Sequence, residues 1–355
     1  MQVFFIRSRW RQWIALVVLT LVITGTLYAL GLPAVFLLGP MISAVILASA
    51  GANLRLPPLV TGYCQGLVGT MVAGSMPPAV MGEVVRNGPL FLILVFSVIG
   101  VAFALGWLLA LYQVLPGTTA IWGASPGAAS AMVLMAEAAG ADFRLVAFMQ
   151  YLRVLLVAGT ASLIAHIVLR VSGEPAVPVD WFGSVPPRDF AISLLVAASG
   201  PAFSYLLKRP AINMLMPIAT GLAVQFSGFA SIHLPPLLLA TAYMLFGWSV
   251  GFRFTREIVT HALKALPVLF VSTVVLIGLC GLLALVVSHF THIDLLTAYL
   301  ATSPGGADSV AIITASSPVD KPFVLVMQMA RFVSVLFLGP VFSRIVARHF
   351  ERRSL

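Results

Sequence analysis

Two arginines, each set in a long apolar run, are the residues of this chain most able to do chemistry. Arg153 follows Met149-Gln150, and Arg331 follows Met327-Gln328. Upstream of each arginine lies a helix-breaking cluster. The first is Ala124-Ser125-Pro126-Gly127-Ala128-Ala129-Ser130-Ala131, and the second is Thr302-Ser303-Pro304-Gly305-Gly306-Ala307-Asp308-Ser309. One constant offset relates both pairs: Ser125 is to Ser303 as Arg153 is to Arg331. Arg153 stands nine residues past Arg144, roughly 13 Å along a helix, which is near the middle of a bilayer. A cation at that depth costs at least about 2.5–3.5 kcal/mol. Two chemistries compensate it. Each guanidinium can pair internally or cap carbonyls of the broken element, or both can face a shared cavity and bind an anion such as a carboxylate.

The clusters suit the second chemistry. Pro126 and Pro304 interrupt the helical ladder, and Gly127, Gly305 and Gly306 allow close backbone approach. A half-helix restarting after the break presents free N–H groups and the positive end of its dipole. Ser130, Asp308 and Ser309 fall in that first turn. Asp308 can neutralise one arginine or take a coupling proton, and its counterpart in the first copy is Ser130. The three ionisable groups therefore balance at two positive against one negative, which favours an anionic ligand. Gln150 and Gln328, three residues before each arginine, share its helix face and can orient it.

The elements that position these residues must be membrane helices. Of 355 residues, 60% are hydrophobic and 9% charged, against about 25% charged in soluble domains. The apolar runs lack period-two alternation, which selects helices over a barrel. Runs fall near 12–30, 33–50, 58–76, 89–112, 119–138 and 145–169, then near 190–207, 211–227, 235–252, 265–288, 295–315 and 322–343. Pro33-Ala34 matches Pro210-Ala211, Pro40 matches Pro217, Leu56-Pro57-Pro58-Leu59 matches Leu234-Pro235-Pro236-Leu237, and Gly69 matches Gly247. The expected organisation is a first repeat at 12–171, an exposed Pro-rich connector at 172–188, a second repeat at 189–345 and a basic cytoplasmic tail at 346–355.

Charge decides between crossing and re-entrant Ser-Pro-Gly segments. If those segments dip in and return, Lys and Arg outside the two buried positions divide fourteen inside against four outside; full crossing gives ten against eight. Positive residues favour the cytoplasmic side. The expected fold is therefore all-α, with five crossings and one broken element per half, inverted repeats, and both termini cytoplasmic at an inner membrane. The N-terminus resembles a signal peptide, with Arg7, Arg9 and Arg11 before an apolar stretch from Trp13 to Leu30. That stretch is longer than a usual h-region and has a counterpart at Phe190 to Leu207, so it is assigned to the repeat.

Other candidates read as structural. Cys64 and Cys280 sit in apolar runs and are expected to be buried thiols. His289, His292 and Asp294 resemble loose metal ligands but have no counterpart in the first half; a solvated loop is expected, and no metal or cofactor. His166 reads as a packed residue, and Glu137 and Asp142 as interfacial. Arg344 to Arg353 interleaves with Ile345, Val346 and Phe350, which suits anionic lipid better than nucleic acid. Gly100, Gly106, Gly278 and Gly281 permit close helix packing, within one chain or in a homodimer.

The doubled Ser-Pro-Gly motif with Met-Gln-x-x-Arg, together with the Pro-Ala…Leu-Leu-Gly-Pro-Met segment at 33–41, resembles the AbrB-duplication family of bacterial membrane proteins. The resemblance covers about 12–345 and carries over to Ser125, Pro126, Gly127, Gln150 and Arg153, and to Ser303, Pro304, Gly305, Gly306, Gln328 and Arg331. Ala128 stands where the second copy has Gly306, so the two elements are not equal. Labels in that family include ammonia monooxygenase and transcriptional regulator. Six scattered histidines supply no copper cluster, and no stretch outside the membrane segments is long enough for a DNA-binding domain. The leading expectation is a transporter-like protein moving a small anionic solute. A membrane-embedded sensor with an indirect effect on gene expression comes second, and an enzyme third.

Overall fold

The structure, a computed structural model, describes residues 9–30, 32, 34–76, 88–112, 115, 119–125, 132–133, 136, 140–172, 185–208, 212–263 and 265–351. Among the described residues there are fourteen helices and no strand. They are α1 (Arg9–Ala29), α2 (Val35–Ser49), α3 (Pro58–Gly74), α4 (Gly88–Leu111), α5 (Thr119–Ala124), α6 (Phe143–Ser172) and α7 (Pro187–Leu207). After them come α8 (Ile212–Phe226), α9 (Pro236–Gly251), α10 (Arg256–Ala262), α11 (Leu266–Thr291), α12 (Leu295–Thr302), α13 (Ala307–Ala315) and α14 (Lys321–Glu351).

Local chemistry sets the boundaries. Proline opens α3, α7 and α9, where its missing N–H costs nothing. Lys208 and His292 close α7 and α11 in the left-handed conformation. Asp294, expected above in a solvated loop, caps α12 by accepting from the Thr297 N–H at 2.8 Å. Among the described residues no three His, Cys, Asp or Glu side chains gather as a metal site would require. Both cysteines are buried and free.

Among the described residues, five helical stretches are long and apolar enough to cross a membrane: Arg9–Ala29, Gly88–Leu111, Phe143–Val168, Pro187–Leu207 and Leu266–Thr291. The pair α9 and α10, bent by 54°, makes a sixth if it is one span. At 15 residues each, α2 and α8 rise about 22 Å, short of a hydrocarbon core about 30 Å thick. The outer face of α1 shows why water is the wrong solvent: Leu21 and Val22 are 68% and 60% exposed. Several long apolar helices thus make this a multi-pass membrane protein.

The helices divide into two compact units, and each unit draws on both halves of the chain. Unit one comprises Met1–Glu83, Ser162–Arg256 and Ala311–Pro322; unit two comprises Val84–Ala161, Glu257–Val310 and Phe323–Leu355. In unit one α1 packs on α2 and α7 on α8, while α2 packs on α9 and α8 on α3. The two cross-half contacts use matched residues. A Cβ on Gly69 would sit 2.6 Å from the Met214 carbonyl oxygen and 3.2 Å from Pro217 Cβ; one on Gly247 would sit 2.6 Å from the Leu37 carbonyl oxygen and 3.3 Å from Pro40 Cβ. Only a residue without Cβ lets these helices meet. The core beside them holds Leu16, Ala44, Leu54 and Trp248, and the Trp248 indole donates to Thr20 Oγ1 at 3.0 Å.

In unit two α4 packs on α5, α11 on α12, and α4 on α11. Of the four glycines expected to admit close packing, Gly106 does so: a Cβ there would sit 3.0 Å from Ala124 Cβ. A Cβ on Gly100, Gly278 or Gly281 would meet nothing within 4 Å.

Candidate functional site

The last carbonyls of a helix have no partner within it. In α5 all six residues are buried, so water cannot serve those carbonyls. The side chains of α6 serve them instead. Gln150 Nε2 donates to the carbonyls of Trp122 at 2.7 Å and Ser125 at 3.0 Å. Arg153 Nη1 donates to the Ser125 carbonyl at 2.9 Å and the Ala124 carbonyl at 3.3 Å, and its Nη2 donates to Gln150 Oε1 at 2.6 Å. Gly123 makes room, since a Cβ there would overlap Met149. Gln150 is 0% and Arg153 2% exposed.

The second copy repeats the clamp at the matching positions. Gln328 Nε2 donates to the Leu300 carbonyl at 2.6 Å. Arg331 Nη1 donates to the Ser303 carbonyl, and its Nη2 to the Gly305 carbonyl at 2.8 Å and to Gln328 Oε1. Gln328 is 0% and Arg331 2% exposed. Helix α6 also reaches this second element. Thr160 Oγ1 and the Tyr299 hydroxyl are 3.2 Å apart, and a Cβ on Gly305 would come within 2.9 Å of Val157 Cγ1. One helix therefore holds the first interruption through Arg153 and lines the second through Val157 and Thr160.

Each cation sits where the carbonyls at the end of a short helix concentrate negative charge. Neither has a carboxylate partner among the described side chains, which do not include that of Asp308. The two guanidinium groups lie within electrostatic reach of each other and of the Cys280 thiol. Nε of both arginines is buried without a partner. Of the two chemistries open to the arginines, capping of carbonyls takes the Nη donors and leaves Nε.

The remaining site residues are placed as follows. Ser125 and Ser303 are buried, and each hydroxyl donates to a carbonyl of the preceding turn, Ile121 at 2.7 Å and Leu300 at 3.0 Å. Pro304 and Gly306 form the break between α12 and α13, and Gly306 accepts the first α13 bond from the Val310 N–H at 3.0 Å. Asp308 and Ser309 occupy the first turn of α13; Ser309 is buried, and the Asp308 side chain lies outside the described set. Pro126, Gly127 and Ser130, with Glu137, also lie outside the described residues. A wider cavity of about 300 Å³ in unit one, walled by Asp189, Gln225, Ser231 and His233, contains none of these residues.

A polar network at the start of α6 went unread in the sequence. Asp142 Oδ1 accepts from the Arg144 and Leu145 N–H groups at 3.1 and 3.2 Å and so caps α6, while its Oδ2 meets His261 Nε2 of α10 at 2.8 Å. The Asp142 N–H donates to Thr119 Oγ1 at 3.1 Å, which ties α5 to the same point. Arg144 pairs with Glu257 at 2.8 Å. The available signal was an aspartate just ahead of an apolar helical run, an N-cap pattern. Burial alone would raise the Asp142 carboxyl; the His261 hydrogen bond and the capping N–H groups outweigh it and hold the carboxyl below its ordinary value. A depressed carboxyl stabilises the fold above the unfolded-state pKa, near 3.9, and loses that contribution as pH falls through its own lower value. Asp142→Ala should lower the melting temperature at neutral pH, at about the 1 kcal/mol scale of a lost N-cap. It should also flatten the loss of stability as pH falls below about 4, the ordinary carboxylate value, as read by melting in detergent.

The chain matches the family model described as "Transition state regulatory protein AbrB" over residues 36–347. It is 40% identical over 344 residues to a protein of Escherichia coli (strain K12) named "Putative regulator AbrB", covering 97% of this chain and 99% of that one. It is 28% identical over 243 residues to "Uncharacterized protein YhjN" of Bacillus subtilis (strain 168), covering 64% of this chain and 63% of that one. No solved structure matches it significantly. With the family model spanning most of its length and the E. coli relative aligned nearly end to end, the chain belongs to the AbrB family.

Proposed function

We propose that this protein is a transporter-like inner-membrane protein that binds a small anionic solute in unit two, at the elements interrupted near Ser125 and Ser303. One observation carries the reading. Arg153 and Arg331 are buried, within reach of each other, and neither meets a carboxylate among the described side chains, which do not include that of Asp308. A buried charge needs compensation, and the first turn of α13, with Ser309, supplies N–H groups for the same ligand. The proposed binding set is Ser125, Pro126, Gly127, Ser130, Gln150 and Arg153 with Ser303, Pro304, Gly305, Gly306, Asp308, Ser309, Gln328 and Arg331.

The same reading takes 12–171 and 189–345 as inverted repeats, each of five crossings and a broken element, with both termini cytoplasmic. The exchange-related contacts of Gly69 and Gly247 support it, as do the two matching clamps. Transport then follows from one bundle rocking against the other. A second reading, a membrane-embedded regulator, is favoured by the name of the E. coli relative. Uptake separates the two. Proteoliposomes carrying the full chain should accumulate at least one of radiolabelled succinate, pyruvate, benzoate or phosphate, and Arg153→Gln should abolish the uptake. Absence of uptake, with a soluble protein co-purifying through α10 or the 346–355 tail, would instead support the regulator.

A further inference from the structure

A half-open cavity of about 300 Å³ lies in unit one, where the end of α3, the start of α7 and the end of α8 meet the loop before α9. Asp189, Gln225, Ser231 and His233 are its polar walls. We propose that this cavity binds a small organic cation, one that presents a primary ammonium group to Asp189.

The walls are held in place by bonds of the protein itself. Gly74 ends α3 against the loop, where a Cβ would sit 2.7 Å from the Ile232 carbonyl oxygen. The His233 N–H donates to Ser193 Oγ of α7 at 3.2 Å, and Gln225 Nε2 donates to the Met76 carbonyl at 3.1 Å. The cavity therefore stands open without a ligand, at a volume that enters the range of small-molecule sites, about 300–1,000 Å³.

Charge selects the class of ligand. Asp189 makes no ion pair among the described residues. The neighbouring cation, Arg188, is engaged elsewhere: its Nη2 donates to the Phe229 carbonyl at 3.3 Å, and its guanidinium lies 5.2 Å from the centre of the Phe229 ring. The walls thus combine one carboxylate with a hydroxyl and an imidazole that can also accept, a set that repels anions and suits N–H donors on a cation. No Phe, Tyr or Trp is among the described walls, which disfavours a quaternary ammonium held against aromatic rings. A metal ion fits less well, because no three His, Cys, Asp or Glu side chains gather among the described residues.

The fold does not require this corner to be open or acidic. By the repeat offsets, Gln12 matches Asp189, Phe252 matches Gly74 and Arg55 matches His233. In that matching corner the Phe252 ring packs edge-on against Trp13, with ring centres 6.1 Å apart. An aromatic ring and a cation there replace the glycine and the histidine here, and no carboxylate stands in place of Asp189. The cavity contains none of the residues assigned to the solute in unit two, so the proposal stands whether or not an anion binds there.

The test is calorimetric titration of the purified full chain with n-butylammonium, tetramethylammonium and butyramide at constant ionic strength. n-Butylammonium should bind saturably, and the other two should bind at least about tenfold more weakly. Asp189→Asn should weaken n-butylammonium by about tenfold or more. Asp189 also lies in the first turn of α7, so Ser231→Trp, on the exposed loop, serves as a second variant that obstructs the cavity and leaves the carboxylate in place. Melting curves verify that both variants are folded. No saturable binding of n-butylammonium, equal binding of the three probes, or binding that survives in either folded variant would each overturn the proposal.

Discussion

Arg331→Met should destabilise the protein by about 3 kcal/mol, a fall in melting temperature on the order of 6–10 °C. The guanidinium serves the Ser303 and Gly305 carbonyls and Gln328 Oε1, all inside a region closed to water. Methionine fills much of the volume but donates nothing, and each stranded acceptor costs about 1–3 kcal/mol. Removing a buried charge offsets part of that sum. Arg331→Lys keeps the charge but lacks the planar fork that reaches two carbonyls at once, so it should recover only part of the loss. Gln328→Leu should be strongly non-additive with Arg331→Met, because Gln328 holds Arg331 while serving the Leu300 carbonyl. The first clamp has the same bonding pattern through Gln150 and Arg153, so Arg153→Met should behave alike. Melting curves in detergent check all five variants, and changes below about 1 °C would show that the carbonyls find other partners.

Gly247→Ala and Gly69→Ala form the second pair with large expected effects. The added Cβ would lie 2.6 Å from a backbone oxygen in both, Leu37 for one and Met214 for the other. Backbone cannot step aside as a side-chain tip can, so α9 must move off α2, or α3 off α8. Overpacking of this kind costs about 1–3 kcal/mol. Gly100→Ala and Gly278→Ala are the controls. Nothing lies within 4 Å of a Cβ there, and alanine gains up to about 1 kcal/mol of helix propensity. The first pair should lower the melting temperature by similar amounts and the second pair should leave it level or higher. Equal effects in all four would contradict the close helix contacts.

The helical fold was legible because it rests on composition. With 9% charged residues over 355 positions, water is excluded as the solvent and helices follow. The Gln–Arg partnership was legible because a three-residue spacing puts both side chains on one helix face. The target of the arginine was not, since the sequence leaves carbonyl capping open beside the ligand binding it favours, and only the fold shows Ser125 and Ser303 ending buried half-helices. Spacing also hid the assembly of each unit from both halves, because contiguous repeats on paper suggest contiguous bodies. Gly100 and Gly278 misled in the other direction. A small residue marks a close approach only where another helix is present, and the sequence does not say which faces meet. Asp142 and His261 are far apart along the chain, and no local pattern joins them.

The most direct test is the melting temperature of the purified full chain in gluconate buffer across a panel of small anions, each with a neutral amide of the same size as control. Binding at the clamped elements predicts that at least one anion raises the melting temperature saturably, that its amide does not, and that Ser309→Ala or Arg153→Gln removes the response. If no anion in a broad panel shifts the melting temperature, or if the neutral amides stabilise as well as the anions, the buried cations serve the backbone alone and the solute site is refuted.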